Sequence, residues 1–276
     1  MSAVLVESLV RPVGIGLRFL DAWSGAIIGD GLSCTLRHRR DGRLLGVARC
    51  TLSGIHHWPD LAQFWLENPV SPTQPARAEV IVEDRLARYL PVRLPWPPAA
   101  DRPGEPIASM TLASAPGRPA PPGAATVFAR LADGSGSPTG WARVLACDAQ
   151  GRTTIGMSDA AGRLALHLPF PRPDRRQPAS PPDSPPLPPG VSATITLRVF
   201  HDPAVASDAL AAAQRHGLND GLPSLPDWSA QPEVRVLARA GSSDALGPLR
   251  LEPDRPAVPI TEALPSNRSE LRLTPL

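Results

Sequence analysis

Apolar and polar residues alternate with a period of two along much of the chain, most clearly from Trp141 to Phe170. Because successive side chains of a β-strand point to opposite faces of the sheet, this alternation predicts strands. Two short polar segments, ending in Gly151 and Gly162, interrupt it, and glycine readily adopts the positive φ angles of tight turns. We therefore predict three strands joined by two turns, with the strands over 141–147, 152–157 and 163–168.

The same alternation predicts further short strands on both sides of this segment. Residues 39–42, Arg-Arg-Asp-Gly, are a strong hairpin signal, because Asp-Gly favours the turns that connect antiparallel strands. Residues 107–113 are a weaker candidate for pairing. The other predicted strands lie over 13–19, 32–36, 44–52, 78–84, 89–94, 126–131, 194–200 and 234–238, with later candidates at 249–251 and 270–273.

One helix is predicted, near residues 207–216. The segment is rich in alanine, with Ser207 as a candidate N-cap and Gly217 as a candidate C-cap. Residues 53–68 are the least regular part of the first half of the chain. Within them, Asp60 is a candidate N-cap for a single helical turn.

These elements predict an all-β protein of two tandem small β-sandwich domains, with one short helix and a long proline-rich loop in the second. Immunoglobulin-like and transthyretin-like strand orders both fit, since both consist of short alternating strands. The predicted organisation is an N-terminal arm at 1–11, a first sandwich at 12–98, a Pro/Gly-rich linker at 99–123 and a second sandwich at 124–276, with the proline-rich loop at 171–190.

Composition adds two constraints. Proline accounts for 36 of the 276 residues, which argues against long helices. All basic residues are arginine, they are scattered among acidic residues, and the formal net charge is only +2. A nucleic-acid-binding protein needs a basic patch or stripe, so no nucleic-acid partner is expected. The proline-rich loop is expected to be exposed, and an alternative hypothesis makes it a polyproline ligand for an aromatic groove.

The N-terminal residues lack the basic and then apolar pattern of a signal peptide, and no apolar stretch approaches the ~20 residues of a transmembrane helix. We therefore expect no membrane insertion and a cytoplasmic location, either free or in a particle later released from the cell. Cys34, Cys50 and Cys147 are then expected to be buried free thiols. Cys34 and Cys50 lie in neighbouring predicted strands, which could bring them close together.

Few residues suggest chemistry. His56 and His57 beside Asp60 resemble a metal site, but adjacent histidines on an extended chain point in different directions and no third ligand stands at helical spacing. Asp159 is interpreted as a turn-forming residue rather than an acid catalyst, and the Ser-Gly dipeptides as turns. The chain contains no G-x-S-x-G, P-loop or C-x-x-C motif. We therefore predict no catalytic, cofactor-binding or metal-binding residues and no cofactor.

The six tryptophans are the other notable group. Exposed together, they would suit a glycan-binding face. Because they lie beside prolines and apolar residues, packing in the core or at the domain junction is the preferred interpretation. They are Trp23, Trp58, Trp65, Trp96, Trp141 and Trp228.

The segment GRTTIGMSDAAGRLALHLP at 151–169 resembles the carboxypeptidase regulatory-like domain, a small transthyretin-like β-sandwich. In that family a short strand leads into a Thr-Asp-x-x-Gly turn and then an alternating strand. Here Ser158 replaces the usual threonine, before Asp159 and Gly162. The resemblance covers this segment alone and implies a fold rather than an activity, because the family's domain is non-catalytic.

Short segments across most of the chain also resemble bacterial carboxypeptidase regulatory-like proteins that accompany phage-tail-like contractile injection systems. This resemblance implies a structural or accessory part of a particle assembled in the cytosol, in its baseplate or cap region, with other protein subunits as partners. The segments are LRFLDAWSG at 17–25, VEDRLARYLPVRLP at 82–95, SAPGRPAPPGAATVFARL at 114–131, GWARVLACDAQGRTTIGMSDAAGRLALHLPFP at 140–171, SLPDWSAQP at 224–232 and NRSELRLTPL at 267–276.

Three functional hypotheses follow. The first is a non-catalytic structural or adaptor component of such a particle, acting through protein–protein contacts. The alternative is a stand-alone β-sandwich binding module for a glycan or peptide, which predicts an exposed tryptophan platform. The third is an enzyme or an enzyme-associated regulatory domain, which predicts converging carboxylates or histidines in a polar pocket. We expect the protein not to be an enzyme.

Overall fold

The structure, a computed structural model, describes residues 16–59, 77–96, 107–169, 192–218, 221–240, 243–252, 256–262 and 270–276. These residues form three β-sheets and two helices, which confirms the predicted all-β fold. The strands are β1 (Gly16–Asp21), β2 (Leu32–His38), β3 (Leu44–Val47), β4 (Arg49–Cys50), β5 (Ile55–His57), β6 (Ala78–Asp84), β7 (Val92–Trp96), β8 (Ile107–Leu112), β9 (Ala124–Ala132), β10 (Arg143–Asp148), β11 (Thr153–Met157), β12 (Arg163–Pro169), β13 (Ala193–Phe200), β14 (Glu233–Val236), β15 (Leu249–Leu251) and β16 (Glu270–Pro275), and the helices are α1 (Pro203–His216) and α2 (Leu225–Ser229).

Two four-stranded sheets make up the first sandwich. One has the strand order β4-β5-β1-β8 and the other β3-β2-β6-β7. Their facing side chains form a hydrophobic core, which includes Leu17 and Phe19 from the first sheet and Leu36 and Val80 from the second. Leu17 and Phe19 are two residues apart in β1, and Leu36 pairs directly with Val80 across β2 and β6. Each pair therefore lies on one face of its sheet.

The single strand predicted over 44–52 is wrong, because this segment divides between the two sheets. β3 pairs with β2 in one sheet, and β4 pairs with β5 in the other. Between them, the Ala48 N–H still donates to the Cys34 carbonyl at 2.8 Å. A strand can change sheets at the edge of a sandwich by bending locally. Apolar residues continue through this bend, so the hydrophobic pattern does not mark it.

Other strand boundaries also differ from the predictions. β5 lies within the irregular stretch 53–68, and the strand predicted at 89–94 is β7. β8 lies inside the predicted linker, 99–123, and pairs in parallel with β1 of the first sandwich. The six residues of β8 contain no proline or glycine. The prolines and glycines on either side of β8 gave residues 99–123 the composition of a linker. The N-terminal arm, the Asp60 helical turn and the proline-rich loop lie outside the described residues.

The third sheet forms the second sandwich by itself. Its strand order is β11-β10-β13-β14-β16-β9-β12, and β15 pairs with β13. The three strands predicted from the central segment are confirmed as β10, β11 and β12. Inward-facing residues from both ends of this order, such as Val127 and Val144, share one hydrophobic core. Gly156 has no side chain, and this leaves room for Leu164 and Leu166 of β12 beside β11.

The predicted helix is confirmed at its C-terminal end, where Gly217 caps it at φ 68°, but it begins at Pro203 rather than Ser207. The Asp202 carboxylate caps the N-terminus by accepting a hydrogen bond from the Ala204 N–H at 2.8 Å. Proline is favoured at the first helical position because its missing N–H is not needed there. The short helix α2 was not predicted. Neither helix of the described residues is long and apolar enough to cross a membrane.

Helix α1 packs on the first sandwich, although its sequence position is in the predicted second domain. Ala212 and Ala213 of the helix form a buried cluster with Ile81 of β6 and with Leu222. Ile81 alternates with the core-facing Val80 and Val82, so it lies on the opposite face of its sheet. Helix α1 therefore covers the outer face of β6 and makes this strand buried on both sides.

The two predicted turns of the central segment are confirmed and share one geometry. In each, an aspartate accepts hydrogen bonds from the backbone N–H groups two and four residues later and from the side chain of the arginine four residues later. The pairs are Asp148 with Arg152 and Asp159 with Arg163. The glycine before each arginine has a positive φ, 78° and 75° respectively.

We expect Gly162→Ala to destabilise the protein more than Gly151→Ala, although the two turns match. Either alanine would be held at positive φ, which costs about 1–2 kcal/mol. A Cβ on Gly162 would also lie 2.3 Å from the Leu131 carbonyl oxygen, whereas nothing lies within 4 Å of one on Gly151. Urea denaturation of both variants measures the two losses in the free energy of unfolding. Equal losses would contradict the expected clash.

Candidate functional site

A cleft of about 910 Å³ lies between the two sandwiches. One wall comes from the end of β6, the segment that follows it and residues 115–117. The other wall comes from the outer face of β9 and β12 and from the turn before β12. The residues that give the cleft its chemistry are Glu83, Asp84, Tyr89, Leu90, Phe128, Arg130, Trp141, Asp159, Arg163 and Val258.

Trp141 stands where the two sandwiches meet at this cleft. Its φ of 61° is rare for a bulky residue. Trp141 lies two residues before the start of β10 in the second sandwich. Its buried side chain nevertheless belongs to the hydrophobic cluster of the first sandwich. Gln231 Nε2 donates to the Trp141 carbonyl at 3.0 Å. Gly221 leaves space for the indole ring, since a Cβ there would lie 2.5 Å from it. These contacts hold the strained backbone in place.

Arg118 fixes the first wall of the cleft. Its guanidinium donates to both carboxylate oxygens of Asp21 at 2.9 Å and to Ser114 Oγ at 3.0 Å. It also lies 4.8 Å from the centroid of the Tyr89 ring. Burial, with a contribution from Asp21, raises the pKa of Tyr89. The phenol therefore stays neutral to a higher pH than that of an ordinary tyrosine. Its ring and the Arg118 guanidinium form a packed cation–π contact.

Asp84 lines the same wall, but its carboxylate is already engaged. The side chain is fully buried and accepts from the Arg88 backbone N–H at 2.7 Å and from Arg88 Nε at 3.0 Å. Burial alone would raise the pKa of Asp84, but the hydrogen bonds from Arg88 outweigh it and keep that pKa below its ordinary value. Ala87, at φ 53°, takes the position that glycine has in the turns before Arg152 and Arg163. Asp84 therefore stabilises a turn.

The second wall carries two arginines side by side. Arg130 of β9 and Arg163 of β12 are direct partners in the antiparallel register, and both line the cleft. Arg163 Nε donates to Asp159 Oδ2 at 2.7 Å, whereas Arg130 Nη1 lies 3.9 Å from Glu270 Oε2. Phe128, two residues before Arg130 on the same face of β9, is 36% exposed. This wall thus combines positive charge with an exposed aromatic ring.

His56 and His57 lie away from the cleft, on β5. His56 is buried with its ring 5.3 Å from that of Phe19, and burial, with a contribution from His57, lowers the pKa of His56. Asp60 lies outside the described residues. Among the residues that the structure describes, no three His, Cys, Asp or Glu side chains are placed to hold a metal ion. The interpretation of Asp159 as a turn residue is confirmed.

Four of the six tryptophans are buried in the cluster that forms the first core, which confirms the packing interpretation for them. Two of these rings, from β7 and from the residue after β5, pack edge to face with centroids 4.7 Å apart. Trp23 is half-buried, and Trp65 lies outside the described residues. The four buried side chains are those of Trp58, Trp96, Trp141 and Trp228.

The cysteines are free thiols, as predicted, but only Cys34 is buried, and Cys147 is half-buried. Cys34 is buried, and burial, with a contribution from Cys50, raises the pKa of its thiol. Cys50 is exposed rather than buried, and its Sγ–H donates to the Gly29 carbonyl at 3.2 Å. Cys34 and Cys50 stand on strands of different sheets, because the chain changes sheets at Ala48.

The cleft is not evident from the sequence. Arg130 and Arg163 are far apart in the chain and become neighbours only through the β9–β12 pairing. A signal was nevertheless present, since both arginines stand in alternation with the apolar residues that form the core. Pairing the two strands in register would have placed the arginines together on the outer face.

No family model matches the chain, and a comparison with curated proteins finds no match. Among solved structures, the chain is similar to the C-terminal fragment of the pilus adhesin SpaC from Lactobacillus rhamnosus GG. The similarity has 9% sequence identity, covers 68% of this chain and 82% of that chain, and has a TM-score of 0.20. A similarity this weak carries no argument about fold or function.

Proposed function

We propose that this chain is a non-catalytic structural or adaptor protein that acts through protein–protein contacts in a phage-tail-like contractile injection particle, in the baseplate or cap region. The observation that carries the proposal is the buried ionic junction between helix α1 and the first sandwich. It makes the two sandwiches one body with a fixed cleft between them. A body of this kind can hold other subunits at set positions.

Arg93 of β7 is the centre of this junction. Its Nη1 donates to Glu79 Oε2 at 3.1 Å, its Nε donates to the Leu222 carbonyl at 3.1 Å, and its Nη2 pairs with Asp208 of α1. His216, at the end of α1, shares Glu79 through a 2.6 Å hydrogen bond from Nε2 to Oε1. The side chains of Arg93, Glu79 and His216 are at most 5% exposed. Moving α1 away from the first sandwich would break the contacts of Arg93 with Asp208 and Leu222 and of Glu79 with His216, so the junction favours one arrangement.

The edge of β3 offers a surface for a partner. Leu44 and Val47 at its two ends are 50% and 52% exposed. Within the described part of the chain, β3 pairs with β2 on one side and with no strand on the other. An unpaired strand edge presents a row of backbone donors and acceptors, and partner proteins add strands to such edges. This edge supports a function in assembly.

The chemistry of the cleft also favours a non-catalytic role. A general acid or base must be able to reach the substrate, and its pKa must suit proton transfer. Asp84 and Asp159 instead each hold an arginine and two backbone N–H groups within a turn. The assignment to an injection particle rests on the resemblance of the six sequence segments.

Affinity purification of the tagged chain from its native cells, followed by mass spectrometry, tests this proposal. Sheath, tube, baseplate or cap proteins are expected to co-purify. We expect Val47→Lys, which places a charge at the β3 edge, to reduce their recovery, and Leu210→Lys, at a similarly exposed position on α1, to leave it unchanged. Recovery of the wild-type chain as a monomer without such proteins would contradict the particle assignment.

A stand-alone binding module is the second candidate function, and the volume of the cleft favours it. A cavity of about 910 Å³ falls in the size range of ligand sites. A module of this kind would bind an isolated peptide or glycan without any co-purifying subunits. Peptide and glycan arrays probed with the full chain therefore distinguish it from the adaptor.

A further inference from the structure

We propose that the cleft wall formed by β9 and β12 binds an acidic, extended peptide segment of a partner protein. Arg130 and Arg163 hold a carboxylate of this segment, and Phe128 and Val258 contact an apolar side chain next to it. The inference rests on the proposed function in protein–protein contacts, and it names the site and the chemistry of one such contact.

The charge of this wall favours an acidic ligand. Side chains directly opposite on an antiparallel pair have Cβ atoms roughly 4.5–5.5 Å apart, and like charges there are destabilising. Arg130 and Arg163 are such a pair. Arg163 uses Nε to bond Asp159, and its side chain remains 68% exposed. Glu270, the neighbour of Arg130, bonds more closely to Arg272, at 2.7 Å. Among the residues that the structure describes, three arginines thus share the carboxylates of Asp159 and Glu270, and an incoming carboxylate would relieve the repulsion.

The opposite wall limits the amount of negative charge that the cleft can accept. Glu83 lines the opposite wall. It would repel a ligand that carries many negative charges, such as a nucleic acid. A single carboxylate directed at the arginines, with neutral residues on either side, avoids this repulsion. The charges of the two walls therefore favour an acidic peptide over a polyanion.

An apolar surface lies beside the arginines and suits an apolar side chain of the ligand. Val258 is 45% exposed. It is held near β9 by the preceding residue, because the Phe128 N–H donates to the Ala257 carbonyl at 2.9 Å and the Ala257 N–H donates to the Thr126 carbonyl at 2.8 Å. Phe128 and Arg130 are two residues apart on one face of β9, a separation of about 6.8 Å in a strand. An extended peptide with an acidic and an apolar residue at the same spacing matches both contacts.

Fluorescence anisotropy of the full chain with a fluorescein-labelled peptide with an amidated C-terminus, Gly-Thr-Glu-Thr-Leu-Thr-Gly, tests the site. We expect Arg130→Gln and Arg163→Gln each to weaken binding roughly tenfold, since each removes a charge-assisted hydrogen bond. Replacing the glutamate of the peptide by glutamine should have a similar effect. Phe128→Thr should also weaken binding, and circular dichroism and urea denaturation of every variant establish that it folds.

Arg152→Gln is the matched control. Arg152 bonds Asp148 in the same turn geometry as Arg163 bonds Asp159 and is similarly exposed, but it does not line the cleft. Its loss should leave peptide binding unchanged. Equal binding of the glutamate and glutamine peptides, or an equal effect of Arg152→Gln and Arg163→Gln, would overturn the proposal. So would binding of heparin in preference to the peptide at the same two arginines.

The proposed function and this site can fail separately. If the variant with both Arg130→Gln and Arg163→Gln, purified from native cells, retains all the partners of the wild-type chain, the cleft is not the contact and the adaptor function stands. If no sheath, tube, baseplate or cap proteins co-purify with the wild-type chain but it binds the peptide through the two arginines, the site stands and the particle assignment is wrong.

Discussion

Glu79→Ala is expected to lower the free energy of unfolding by about 3–5 kcal/mol, because it removes one partner of a buried ion pair. The carboxylate accepts from Arg93 and from His216, and all three side chains are almost completely buried. Burial already lowers the pKa of Arg93, and Glu79 is the main group that opposes this effect. Without Glu79 the guanidinium would depend on Asp208, whose side chain is 46% exposed.

Urea denaturation measures this loss, and hydrogen exchange of α1 locates it. Glu83→Ala is the matched control, because Glu83 is on the same face of β6 but is only half-buried. It should change the free energy of unfolding by no more than about 0.5 kcal/mol. Glu79→Gln, which keeps the shape but removes the charge, should fall between the two. If Glu79→Ala costs no more than Glu83→Ala, the ionic junction does not hold the sandwiches together.

The same residues show where prediction from sequence stops. Alternation located β6, and it placed Val80 and Val82 on a common face as found. Glu79 and Ile81 lie on the other face of β6, for which an exposed surface is the ordinary expectation of a sandwich. Helix α1 covers that face instead. Which helix packs on which sheet depends on contacts between residues far apart in the chain, such as Glu79 with His216.

Local sequence signals predicted turns and helix ends more reliably, because glycine is favoured at the positive φ angles that these positions require. Gly151, Gly162 and Gly217 each marked a turn or a helix end, and each has a positive φ. The beginning of α1 was also marked, by Asp202 before Pro203, and the more familiar serine cap was preferred to it. Ser207 bonds the Pro203 carbonyl inside the helix instead.

The cleft had no local signal of comparable strength. Its walls come from two sandwiches, and the arrangement of those sandwiches depends on α1 and on Trp141. The conformation of Trp141 is itself set by tertiary contacts, because a tryptophan at φ 61° has no advantage in an isolated chain. The resemblance to carboxypeptidase regulatory-like domains concerns the hairpins around Asp159 and says nothing about this arrangement.

Trp141→Ala is expected to reduce the free energy of unfolding by about 3–5 kcal/mol, the usual cost of removing a large buried side chain. The ring is 3% exposed and belongs to the cluster that includes Trp228 and residues of the first sandwich. Gly221→Ala should cost about 1–3 kcal/mol by overpacking, since its Cβ would lie 2.5 Å from the indole. Urea denaturation of each variant measures both losses.

Combining the two substitutions isolates the contact between the ring and Gly221. In the Trp141→Ala background no ring remains for the new Cβ to meet, so Gly221→Ala should cost almost nothing and the double variant should be more stable than the sum of the two losses predicts. Gly247→Ala is the matched control, because nothing lies within 4 Å of a Cβ there, and it should add to Trp141→Ala without coupling. If the losses from Trp141→Ala and Gly221→Ala simply add, the packing of the indole ring does not depend on the space that Gly221 leaves. The strained backbone of Trp141 would then need another source of stabilisation at the junction that shapes the cleft.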